Sequence, residues 1–271
     1  MLRATCLLLF ISLLTNCTTP RRLSGGRATV NNKNSMYQKA EYIAGSDTLP
    51  YRLLLPEDYD RSKSYPLVLF LHGAGERGKD NELQLLHGTS LFLKPENRHK
   101  YPCLVLVPQC PQESYWSSRL YDGSKSQHGY SYDYRNTITK SLRMALELTQ
   151  KIIKTESVDA HRVYITGLSM GGMGTFEAVA REPKLFAAAT PICGGGDPKG
   201  FNGNGPQTPF WIFHGTDDPI VSVDYSREMY KQLKALGWEA TYTEYPDVEH
   251  DSWDNAFAEP NFLKWMFSKQ R

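Results

Sequence analysis

From residue 37 onward the chain alternates short β-branched or leucine-rich runs with stretches whose apolar positions recur at helical spacing. That alternation is the signature of a sheet fed by crossover helices. Residues 66–71 and 104–107 are apolar without a break, as strands buried on both faces require, and residues 51–55 predict an earlier strand ending at Pro56. Ile138, Leu142, Ala145, Leu146, Ile152 and Ile153 mark one helical face, followed by a strand over 163–166. Residues 173–181 predict a helix stopped by Pro183. Three further strands are predicted at 187–192, 210–213 and 241–245, with a helix over 224–236 capped by Gly237 and a last helix over 261–268. Residues 73–101 are polar and broken by Gly and Pro, which predicts loop with a short helix over 83–87. No repeat is visible.

The first seventeen residues have a different pattern. Arg3, an apolar stretch over 7–14 and Cys17 close behind read as an export signal, and the stretch is too short to span a bilayer. Leu14-Thr15-Asn16-Cys17 resembles a bacterial lipobox, in which the Cys is acylated and becomes the mature N-terminus; Asn16 stands where a small residue is usual, so ordinary signal-peptidase cleavage is the alternative. Residues 18–36, rich in Ser, Asn, Arg and Gly, read as a flexible tether, and residues 37–271 as one catalytic domain. The expectation is an exported protein, periplasmic or at the cell surface, touching membrane only through Cys17.

Composition narrows the partners. Among 271 residues, 31 Lys and Arg against 29 Asp and Glu leave a net charge of +2, so no basic stripe points to nucleic acid or anionic lipid. Aromatic residues, 12% of the chain, gather at Tyr115-Trp116 and at residues 130–134, which suits a substrate with rings or sugar faces as well as it suits packing. Outside the signal, Cys103, Cys110 and Cys193 are an odd set, which argues against a disulfide framework. Cys103 and Cys110 flank an extended run of about 20 Å at strand rise, so buried free thiols are expected.

Gly167-Leu168-Ser169-Met170-Gly171 follows a buried strand and opens a helix. Gly-x-Ser-x-Gly in that setting forces the Ser into a tight elbow with its hydroxyl exposed, because side chains at the two Gly positions would collide where strand and helix cross. A serine hydroxyl needs an imidazole to take its proton, and the imidazole an orienting carboxylate; in the α/β-hydrolase fold these follow in the order Ser, Asp or Glu, His. Of the histidines only His214 and His250 come after Ser169. His214 precedes the candidate acids and is read as structural, whereas His250, in a polar loop after the last strand, is the candidate base. His214-Gly215-Thr216-Asp217-Asp218 followed by Pro219-Ile220-Val221 fits the His-Gly-x-x-Asp form in which hydrolases of this fold present their acid, selecting Asp218 with Asp217 the alternative. Oxyanion donors are expected from the N–H of Met170, at a helix N-terminus, and of Ala74 in His72-Gly73-Ala74-Gly75, with Gly75 the alternative.

His72-Gly73-Ala74-Gly75-Glu76-Arg77-Gly78 with Asp80-Asn81, Val107-Pro108-Gln109-Cys110-Pro111 with Trp116, and the Ser169 motif with Pro191-Ile192-Cys193-Gly194-Gly195 together resemble exported bacterial carboxylesterases of the α/β-hydrolase superfamily, the predicted phospholipase or polyhydroxybutyrate-depolymerase-like group. They are also similar to feruloyl and acetyl-xylan esterases of the first carbohydrate-esterase family. The resemblance spans Tyr51 to the C-terminus. It implies a mostly parallel central sheet with helices on both faces, a metal-free Ser169-Asp218-His250 triad, no cofactor, and feruloyl, acetyl or similar esters of plant polysaccharide as substrates.

Trp116, after a strand end, and Trp253, three residues past His250, are candidates to line the substrate pocket, as is Gln109, also at a strand end, to hydrogen-bond substrate; packing of the catalytic loops is the alternative role for the two tryptophans. Glu76 and Arg77 are read as a structural ion pair, and the carboxylates at 58–60 and 156–159 as solvated loop residues. Gly73-Ala74-Gly75-Glu76-Arg77-Gly78 also matches the dinucleotide fingerprint, but polar residues 79–82 follow where an apolar helix should start. Two rivals remain. A prolyl-oligopeptidase-type peptidase uses the same triad order but usually carries a large extra domain, and a surface-anchored binding module could keep the fold without turnover.

Overall fold

The computed structural model describes residues 36–121, 129–203 and 207–271. The residues read in the sequence as an export signal, Cys17 and residues 18–35 of the expected tether lie outside these. Strand β1 (Gln38–Ala44) turns at Gly45, whose φ of +63° a side chain would strain, into β2 (Asp47–Leu54). Then come β3 (Tyr65–Leu71), helix α1 (Pro95–Lys100), β4 (Leu104–Pro108), and a small ribbon of β5 (Arg119–Tyr121) and β6 (Tyr130–Tyr132). The second half runs α2 (Lys140–Thr155), β7 (Val158–Leu168), α3 (Met170–Arg181), β8 (Ala188–Ile192), β9 (Phe210–Gly215), α4 (Val223–Ala235), β10 (Ala240–Tyr245), α5 (Trp253–Ala258) and α6 (Phe262–Phe267).

Local chemistry sets several of these boundaries. The Thr139 hydroxyl accepts the Leu142 N–H and starts α2, and the Ser222 hydroxyl accepts from Asp224 to start α4. Gly237, at φ +77°, ends α4: its N–H donates to Lys234 O and that of Trp238 to Leu233 O, at 3.0 and 2.9 Å, the paired bonds of a Schellman cap.

The eight-stranded sheet runs β1-β2-β4-β3-β7-β8-β9-β10. Only the β1/β2 and β2/β4 pairs are antiparallel. Every residue of β3 and β4 is buried, and successive side chains go to opposite faces. Leu67, Leu69 and Leu71 pack with Leu142, Phe176, Val179, Met229 and Leu233 of α2, α3 and α4. Val68 and Phe70 pack on the other face with Phe257, Phe262 and Met266 of α5 and α6. Helices on both faces of a mostly parallel sheet are the expected α/β-hydrolase architecture. Among the described residues no helix is long and apolar enough to cross a membrane.

The structure differs from the sequence pattern in places. Strand β7 begins at Val158 rather than 163 because Tyr65 N–H bonds Ser157 O and extends the pairing with β3. Residues 156–159 are therefore not solvated loop. Glu156 accepts from Tyr59 and Arg61, and Asp159 pairs with Arg162 at 2.7 Å. Asp58 and Asp60 are exposed, as expected. Cys103, Cys110 and Cys193 are buried free thiols, and burial pushes Cys103 and Cys110 up to about 12.

Candidate active site

Because β3, β7, β8, β9 and β10 are parallel, their C-terminal ends share one edge of the sheet, the edge where such folds gather ligands. Ser169 leaves β7 there with φ 53° and ψ −115°, a strained conformation for a side-chain-bearing residue. The glycines around it permit the close crossing. A Cβ on Gly171 would overlap the Leu71 carbonyl, and one on Gly167 the carbonyl of Gly171. The Ser169 N–H donates to Ile192 O at 2.9 Å, tying the elbow to β8.

Three side chains from three loops meet in one hydrogen-bonded chain. His250 Nδ1 lies 2.7 Å from Asp218 Oδ2, and its Nε2 lies 2.9 Å from Ser169 Oγ. A carboxylate only accepts, so Nδ1 carries the hydrogen and Nε2 is left to accept the serine hydroxyl. The Asp218 side chain is fully buried, yet its other oxygen accepts the Ile220 and Val221 N–H at 2.8 and 2.9 Å. Burial pushes the Asp218 carboxyl up, but bonds from His214, His250 and the Val221 N–H outweigh it and hold the group far below the usual carboxylate range. Asp217 is exposed and accepts from Thr216 instead, so Asp218 is the partner of His250.

The loop after β3 approaches the same place. Ala74 opens a short 3₁₀ turn, Ala74–Glu76, and Met170 opens α3, so both N–H groups belong to first turns that offer them no internal acceptor. Gly75, the alternative donor, sits second in the 3₁₀ turn. His72 anchors the loop: its Nε2 accepts the Cys110 N–H at 3.0 Å, which leaves Nδ1–H to donate to Gly73 O at 2.7 Å. Burial pushes the His72 imidazole down to about 4, so it stays neutral in this role.

Two of the sequence-derived substrate contacts are corrected. Gln109 is wholly buried with its amide spent, accepting the Asn81 N–H at 2.6 Å and donating to Glu76 O and Asp80 Oδ1 at 3.2 and 3.0 Å. It braces the loop from below. Trp116 is also wholly buried; its indole N–H donates to His72 O at 3.2 Å and its Cβ lies where a Cβ on Gly174 of α3 would collide with it, so it packs the site rather than lining it. Trp253 stays at the site, half-buried, with its ring 5.4 Å from that of His250 and nearly perpendicular to it. Glu76 and Arg77 do not pair with each other. Glu76 faces His87 at 3.7 Å, while Arg77 donates to the carbonyls of Ala74, Gln112 and Ser114.

Sequence reasoning missed other neighbours of the triad. The His87 ring lies 5.3 Å from that of Trp253, tilted by 50°, and burial raises the Glu76 carboxyl that His87 faces. Cys193, at the end of β8 with φ 40°, brings its Sγ within 4.8 Å of donor atoms of Asp218 and His250. That trio is the metal-like cluster among the described residues, but His250 Nδ1 is already engaged with Asp218, and burial holds the Cys193 thiol protonated. Strand-end position, the signal that found Gln109, also marks Cys193. A cavity of about 1000 Å³ behind the β5/β6 ribbon, lined by Tyr130, Tyr132, Tyr134, Arg181 and Asp197, contains none of Ser169, Asp218 and His250. Side-chain chemistry, not volume, locates the site.

This sheet order, with a strained Ser between strand and helix and a His and an Asp at later strand ends, defines an α/β hydrolase. The sequence profile of the phospholipase/carboxylesterase family matches residues 59–263, and the chain belongs to that family. It is 31% identical over 118 residues to a bifunctional acetylxylan esterase/xylanase of Neocallimastix patriciarum, covering 41% of this chain and 17% of the relative. To a poly(3-hydroxyalkanoate) depolymerase C of Paucimonas lemoignei it is 29% identical over 200 residues, covering 62% and 44%. A solved thermostable esterase superposes with a TM-score of 0.76 at 36% identity, covering 88% of this chain and 64% of that one. The chain thus spans less than half the length of both curated relatives.

Proposed function

We propose that the chain is a serine carboxylesterase in which Ser169 is the nucleophile, His250 the general base and acid, and Asp218 the residue that orients His250. The observation that carries this reading is the continuous chain Asp218–His250–Ser169, with separations of 2.7 and 2.9 Å. His250 Nε2 takes the hydroxyl proton as Ser169 Oγ bonds to the ester carbonyl carbon, and the carbonyl π electrons move onto oxygen. The Ala74 and Met170 N–H groups receive that oxyanion. Its collapse expels the alkoxide, which leaves with the proton from His250 and gives an acyl-serine. Water, deprotonated by His250, attacks the acyl-serine and returns Ser169 and the free acid.

For the substrate we favour esters of small or aromatic acids on plant polysaccharide, feruloyl or acetyl. Support comes from the half-buried Trp253 ring beside His250 and from the acetylxylan esterase relative. A panel of methyl ferulate, acetylated xylan and p-nitrophenyl esters of increasing chain length tests both levels. The expected result is hydrolysis of methyl ferulate or acetylated xylan, with p-nitrophenyl acetate cleaved faster than the octanoate. A preference for long acyl chains contradicts the substrate class, and no hydrolysis of any ester contradicts the esterase reading.

A further inference from the structure

Sequence order excludes His214 as the base, but the structure gives it a direct hold on the acid. The Nε2 of His214 lies 3.1 Å from Asp218 Oδ2, the same oxygen that His250 engages. We propose that His214 is a positioning residue of the ester-cleaving site: sharing Asp218 Oδ2 with His250, it fixes the acid and sets the pH range over which His250 acts as base. The inference rests on the triad reading given above.

The geometry leaves His214 little freedom. Both its side chain and that of Asp218 are fully buried. Its Nε2 faces two groups that only accept, Asp218 Oδ2 and the Val221 carbonyl at 2.9 Å, so that nitrogen carries the hydrogen. On the other side Nδ1 lies 2.7 Å from the Ser226 hydroxyl, itself 3.1 Å from Gly194 O. The ring is therefore clamped from α4, from the chain leaving β8 and from the turn after β9. Asp218 ends with four donors, two imidazoles on Oδ2 and two backbone N–H groups on Oδ1.

Each donor spreads the carboxylate charge and weakens its pull on a proton held by His250. Without the His214 donor, Oδ2 faces His250 alone, the imidazolium form of His250 is favoured, and the acidic limb of activity moves to higher pH. Among the described residues no other charged neighbour supplies a replacement donor. Glu244, opposite His214 on β10, is an acid already occupied by Arg227 and Tyr242. Asp224 on α4 pairs with Arg227, Asp217 and Asp251 are exposed acids, and burial holds the Cys193 thiol protonated.

The test is the pH profile of kcat/KM on p-nitrophenyl acetate for the full chain and for H214F, H214N and H214Q. Phe fills the space without a donor; the shorter Asn amide reaches only the Ser226 side; the Gln amide reaches the Nε2 position. H214F and H214N are expected to move the acidic limb up by about 0.5–1 pH unit, and H214Q to keep it near that of the unsubstituted enzyme. If H214F does not fold, H214N against H214Q gives the same comparison. Folded variants whose acidic limbs all coincide with that of the unsubstituted enzyme, whatever the loss of rate, overturn the proposal and make His214 a structural residue only. An unsubstituted chain without Ser169-dependent hydrolysis removes the triad reading, and the proposal with it, before any His214 variant is compared.

Discussion

Replacing Ser169 with alanine is expected to lower kcat/KM for an aryl ester by about 10⁴-fold or more while the protein stays folded. The large effect on rate follows from the chemistry, because without Oγ no acyl-serine forms and His250 has no proton to take. What remains is water attack helped by the oxyanion donors. The small effect on stability follows from the contacts. The serine hydroxyl makes its bond to His250, whose side chain is 20% exposed, and its backbone strain at φ 53° is the same for alanine. A loss within about 1 kcal/mol is expected from one hydrogen bond. Steady-state kinetics with thermal unfolding by circular dichroism reads both. Retention of more than a tenth of the activity would exclude Ser169 as nucleophile.

Gly171→Ala is expected to have the largest effect on the fold. A Cβ at this position would sit inside the Leu71 backbone carbonyl and close to that of His72. Those carbonyls belong to β3, at the centre of the sheet, and to the start of the donor loop, so neither can give way as a side-chain tip could. Either α3 moves off the sheet or β3 shifts, and both displace Ser169 from His250. A cost above about 3 kcal/mol is expected for such overpacking, read as a fall of about 10 °C in melting temperature, with esterase activity lost alongside. Gly75→Ala is the control for stability, because nothing lies within 4 Å of a Cβ there. Equal melting temperatures for the two variants would contradict the close strand–helix crossing.

The parts of the site that were legible in sequence share a cause. Ser169, Asp218 and His250 each leave a strand at the same sheet edge, and buried strands announce themselves as apolar runs, so chain order and strand ends were enough. Gln109 and Trp116 show where that reasoning stops. Strand-end position says which edge a residue leaves from, not which way its side chain turns. Gln109 turns inward because the Asn81 N–H and the Glu76 carbonyl under the donor loop need partners, and that demand arises only once the loop is folded over β4. His214 is similar. Order excluded it as base, but its contact with Asp218 comes from the turn that brings both inward. Strand β1 escaped notice because an edge strand with one solvated face carries Gln38, Lys39 and Glu41 among its apolar residues, and the three-residue strands of the β5/β6 ribbon are too short for a period.

The central claim, that Ser169 is the nucleophile activated by His250, is tested most directly by a fluorophosphonate probe followed by mass spectrometry of the digested protein. Such probes phosphonylate only a serine whose hydroxyl is activated. The account predicts stoichiometric modification on the peptide carrying Ser169, prevented by His250→Ala. Absence of modification, or its appearance on another serine, contradicts it.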